Sequence, residues 1–139
     1  MRSFLFVMIG IGTAVVASEG IAQDRTTACD LARHTRKHLS HRVEVFGEIR
    51  GGLDRLVLSD YSCPGKPVMI SISNEFANHP DVAPFWSAIY REGSIGTVGK
   101  HITATVIGTY SHKRGDWPGG VLSVEGVRDL NVELLPAGS

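Results

Sequence analysis

The residues best suited to chemistry stand together in one stretch, Tyr110-Ser111-His112-Lys113-Arg114-Gly115-Asp116-Trp117-Pro118-Gly119-Gly120. Tyr110 and Trp117 offer ring faces on which a sugar or a base can stack, while His112, Lys113 and Arg114 can meet a phosphate or carboxylate. That is binding chemistry. The competing reading is a long surface loop whose Trp117 folds back onto the body of the protein.

A second constellation is His34, His38 and His41. The first two are four residues apart and share a face if a helix holds them, a spacing that can chelate a divalent metal. However, Arg33, Arg36, Lys37 and Arg42 crowd the same stretch and repel cations, and no carboxylate stands between Asp30 and Glu44. A solvated basic face is therefore the favoured reading, with metal ligation by His34, His38 and His41 as the alternative.

Catalysis has little to stand on. The sequence holds no G-x-S-x-G, no H-E-x-x-H and no phosphate-binding loop. His101 and His112 could be written with Asp116 as an acid–base pair, but no nucleophile accompanies them. The expectation is a protein that is not an enzyme and uses no cofactor.

The elements that must position the loop lie behind an export signal. Arg2 supplies positive charge, Phe4 to Ala17 is an apolar run, and Ser18 to Ala22 is a small and polar exit. Cleavage after Ala22 makes residues 1–22 the signal and Gln23 the first mature residue. The apolar run is shorter than the roughly 20 residues of a membrane span, so the mature chain is expected to be periplasmic or secreted, with no membrane span. Cys29 lies twelve residues beyond Ala17, so a lipoprotein anchor is not expected.

The 139-residue chain balances 14 Lys and Arg against 14 Asp and Glu, and losing the signal removes one of each sign. Zero net charge gives no global pull toward nucleic acid or anionic lipid. Two cysteines in an oxidising compartment, without metal-site spacing, predict a Cys29–Cys63 disulfide.

Residues 23–41 read as an N-terminal helical segment, with a helix over Thr27–Leu39 capped by Thr27. Residues 42–132 then carry strand patterns at Arg42–Arg50, Leu53–Asp60, Val68–Ser73, His101–Tyr110 and Val121–Leu130. Gly51-Gly52 marks a tight turn, and Gly47 and Gly108 fall where a coiled strand needs a bend or bulge. Between the third and fourth strands, Val82, Phe85, Trp86, Ile89 and Tyr90 form a helical stripe over Val82–Arg91, capped by Asp81 and read as core. Residues 133–139 read as a tail.

Three strands, a helix and two more strands form the order of an OB-fold, an all-β Greek-key barrel of five strands with one capping helix, here preceded by a short N-terminal helix. Val43-Glu44-Val45-Phe46-Gly47, Leu56-Val57-Leu58-Ser59-Asp60, Gly99 through Gly108 and Gly120 through Val127 resemble small exported bacterial OB-fold proteins. Those domains are similar to the anticodon-binding and single-strand-binding type. The resemblance implies a binding module of the cell envelope, with a glycan, oligonucleotide or protein as ligand. It also places Ser111–Gly120 between the fourth and fifth strands, one of two loops with which OB-folds close over ligands. Outward positions Val57, Ser59, Met69, Ser71 and Ser73 carry no row of aromatics for stacking bases.

Overall fold

The computed structural model describes residues 24–52, 55–112 and 117–136. The expected signal and the loop residues Lys113 and Arg114 lie outside the described residues. In chain order the elements are β1 (Asp24–Thr27), α1 (Ala28–Arg33), α2 (Thr35–His38), β2 (Arg42–Gly51), β3 (Leu56–Ser59), β4 (Val68–Ser71), α3 (Asn74–Ala77), α4 (Ala83–Tyr90), β5 (Lys100–Ser111) and β6 (Val121–Leu134).

Five strands close into a barrel. β2 pairs antiparallel with β3, β3 with β4, and β5 with both β6 and β2, while β4 meets β6 in parallel. The period-two pattern of β2 is realised, with Val43, Val45 and Ile49 buried and Phe46 outside. Closure pairs the strand edges that an open sheet would leave bare. Gly108 coincides with a register shift between β5 and β6, as a bending strand requires.

β1 is an addition that the sequence pattern does not announce. It runs parallel to β2, pairing Asp24 through Thr27 with Val43 through Phe46. Because β5 takes the other edge of β2, β1 shares its edge with β3, which takes over at Glu48. The hand-over falls at Gly47, where a Cβ would stand only 2.7 Å from the Ser59 carbonyl oxygen. Glycine is required there by that close approach.

The predicted helix over Thr27–Leu39 is divided into α1 and α2, with the break at His34. Thr27 caps α1 as expected, its Oγ1 accepting from the Asp30 N–H at 3.1 Å. The break has a geometric reason: His38 Nε2 lies 2.9 Å from Asp30 Oδ2. Eight residues along a continuous helix span about 12 Å, so the chain must turn for the two to meet. Thr35 supports the turn by donating its hydroxyl back to the Leu31 carbonyl at 3.2 Å.

α4 carries Phe85 and Ile89 into the barrel, with Val82 just before it, all fully buried. Pro84 lies in its first turn as expected, but Val82 rather than Asp81 is the N-cap residue and no side chain caps it. At the other end, Lys100 Nζ donates to the carbonyls of Ala88 at 2.9 Å and Ser94 at 2.6 Å. A cation at a helix C-terminus meets both unpaired carbonyls and the negative end of the dipole.

Cys29 and Cys63 form a disulfide with Cα atoms 5.3 Å apart, tying α1 to the turn after β3. β6 continues to Leu134, four residues beyond the sequence expectation, where it pairs with Lys100. Among the described residues, no helix is long and apolar enough to cross a membrane.

Candidate functional site

The long connection between β5 and β6 is held at both ends by one residue. Tyr110, at the end of β5, is fully buried, and its hydroxyl donates to the Gly119 carbonyl at 2.8 Å. Burial pushes that hydroxyl's pKa up, against a smaller downward effect of a hydrogen bond with Thr35. This corrects the expectation that Tyr110 presents a stacking face. Its ring is core, because β5 points alternate residues inward and Tyr110 shares that side with Val106.

Trp117 sits differently. It is half-buried, and the guanidinium of Arg55 lies 5.2 Å from its ring centroid. The Arg55 carbonyl accepts from the Gly52 N–H at 3.1 Å. The loops between β2 and β3 and between β5 and β6 therefore meet through a cation over an indole. Among the described residues no acceptor pairs with the buried Trp117 Nε1–H. His112 Nε2 lies 3.3 Å from the Pro118 carbonyl, within the same loop.

Arg55 also forms one wall of a cavity of about 290 Å³. Met69, Ser71 and Ile72 also line it, together with Trp86 and Tyr90 of α4. The two rings pack at 4.4 Å between centroids, and burial pushes the Tyr90 hydroxyl's pKa up. Tyr90 is therefore a neutral donor and acceptor at ordinary pH. The wall offers stacking, hydrogen bonding and one positive charge.

Trp86 and Tyr90 correct the reading of the α4 stripe as wholly core. Phe85 and Ile89 fill the barrel, whereas Trp86 and Tyr90, each one residue further on, are half-buried at the cavity. The signal was present in the sequence as two i,i+4 pairs offset by one residue, which on a helix face about 100° apart.

The metal alternative is not assembled. The break at His34 turns His34 and His38 toward Asp30, at 3.7 and 2.9 Å, with His38 buried. His41 is exposed, and its carbonyl accepts from the Tyr110 N–H. Among the described residues, no group of three His, Cys, Asp or Glu side chains is placed to hold a metal ion. Thr26 donates its hydroxyl to Asp30 Oδ2 at 2.7 Å. That hydrogen bond is the main cause holding the Asp30 carboxyl below its usual range; partial desolvation opposes it, and His38 and His34 add to it.

A larger cavity, about 370 Å³, opens on the outer face of β2, β5 and β6. Its buried carboxylate, Glu44, is ion-paired with Arg128 and lies 3.8 Å from Arg25. Asp129 opposes Arg128 at 3.8 Å and accepts from the Thr105 hydroxyl. These charges neutralise one another and fasten β1 and β6 to β2.

In comparison with known proteins, no family model and no curated protein matches this chain.

Proposed function

We propose that this chain is an exported, non-catalytic OB-fold binding module of the bacterial cell envelope, whose ligand groove lies over β3 and β4 beside Arg55 and Trp117. Three features support the OB assignment: the barrel path β2-β3-β4-β6-β5, its parallel β4–β6 join, and a helix between β4 and β5. The disulfide supports an oxidising compartment.

The observation that carries the binding reading is the Arg55–Trp117 contact at 5.2 Å, beside a cavity walled by Trp86 and Tyr90. Arg55 occupies a ring face that a ligand can take over. A sugar ring, base or partner side chain that stacks on Trp117 frees the guanidinium to meet an anionic or hydroxyl group. It also gives an acceptor the chance to pair with the buried indole N–H, which has no acceptor among the described residues, and a buried N–H left unpaired is costly. Zero net charge supports recognition by local contacts rather than by long-range attraction.

The test is a binding screen of the mature chain against glycans, oligonucleotides and envelope proteins, run beside Arg55→Ala and Trp117→Ala. A true ligand loses about tenfold or more in affinity to Trp117→Ala, the scale of a lost stacking contact. A steep fall with salt would identify an oligonucleotide, and salt independence a neutral glycan. Ligands that bind both variants as well as the wild type would refute the groove.

A further inference from the structure

We propose that the outer face of β2 carries a second, separate site, an aromatic recess that takes a small alkylammonium group. It lies where β1 ends and β3 begins along β2, beside Gly47, and encloses about 180 Å³. Phe46 and Tyr61 both line it, and they are 55% and 75% exposed. Single exposed apolar side chains are ordinary on a protein surface. Two rings sharing one recess with carboxylates are a recognition surface for a cation.

The charges around the recess favour that sign. Glu48 and Asp60 line it, with His101, and no lysine or arginine does among the described residues. Arg50 contacts Glu48 Oε2 at 3.2 Å from the adjoining cleft. His101 stands 3.8 Å from Glu48 and 3.9 Å from Glu133. Burial pushes the Glu48 carboxyl up. Hydrogen bonding from Arg50 and Tyr61, with the charges of Arg50 and His101, outweighs burial and holds it below its usual range. Glu48 is thus ionised at neutral pH.

Size narrows the ligand further. Pockets for drug-sized molecules run from about 300 Å³ upward, so this recess suits a head group rather than an oligosaccharide or a peptide. Its wall is set in advance: Ser62 N–H donates to Asp60 Oδ1 at 2.8 Å, and Cys63 N–H donates to the Asp60 carbonyl at 3.0 Å. The bridge to Cys29 then pins the same turn to α1. With the turn backbone fixed in advance, only the Tyr61 side chain has to be ordered on binding. The recess shares no lining residue with the cavity beside Arg55.

The test is an NMR titration of the mature, oxidised chain with choline and, separately, with 3,3-dimethylbutan-1-ol, its neutral isostere. Choline should shift the amides of Gly47, Tyr61 and Thr103, and the isostere should bind about tenfold more weakly. Tyr61→Phe should retain choline binding, whereas Tyr61→Leu and Phe46→Ala should each weaken it about tenfold. Arg55→Ala and Trp117→Ala should leave it unchanged, which separates this site from the groove proposed above. Equal affinity for choline and its isostere would overturn the proposal, as would an absence of shifts at millimolar choline. Self-association through Phe46 and Tyr61 in place of choline binding would also overturn it.

Discussion

The hydroxyl of Tyr110 donates to the carbonyl of Gly119, so the residue that opens the β5–β6 connection is bonded in the core to one that closes it. A connection far longer than a hairpin loop of 2–5 residues thereby begins and ends at one buried point. Trp117 sits just inside that closure.

Tyr110→Phe keeps the ring but leaves the Gly119 carbonyl unpaired in the core, which should cost about 1–3 kcal/mol in urea unfolding. Gly120→Ala should cost more. Gly120 has φ +82°, and a Cβ there would stand 2.7 Å from Tyr110 ring carbons.

The two sides of α4 should respond differently to truncation. Phe85→Ala empties a fully buried site and should cost about 3–5 kcal/mol. Trp86→Ala, half-buried at the cavity, should cost only about 1–2 kcal/mol by area and weaken a groove ligand as well. Equal losses of stability would place Trp86 in the core and remove it from the site.

Replacing both Cys29 and Cys63 by serine should destabilise the chain by about 3–4 kcal/mol, the chain-entropy value for a closed loop of 34 residues. Reduction of the wild type should move its unfolding midpoint to that of the double variant. A midpoint insensitive to reductant would mean that the packing of α1 against the barrel suffices alone.

Asp30 should impose an acid limit on stability. Its folded pKa lies below the unfolded value near 3.8, chiefly through the Thr26 hydrogen bond. The stabilisation is therefore complete above that value and is lost as pH falls through the lower, folded one. Urea midpoints of Asp30→Asn should start lower at neutral pH and fall less between about pH 4 and pH 2 than those of the wild type. Parallel curves would show that other carboxylates set the acid limit.

Much of the barrel is legible in the sequence. Val43, Val45 and Ile49 alternate with Glu44, Phe46 and Glu48, and period two reports a sheet with one buried face because strand geometry is local. Phe85 and Ile89 mark a helix for the same reason. The Cys29–Cys63 pair follows from the cysteine count and the expected oxidising compartment, which do not depend on the fold.

Whatever depends on contacts between distant residues was not legible. Asp24-Arg25-Thr26-Thr27 has no alternating pattern and is a strand only because β2 has an edge to offer before β3 arrives. Tyr110 could face out or in, and strand register together with Gly119 turned it inward. His34, His38 and His41 read as a cluster until Asp30 drew His38 back and broke the helix between them. Arg55 and Trp117 belong to loops far apart in sequence. Closure of the barrel brings them together, because local preference sets each strand while tertiary packing alone decides which loops become neighbours.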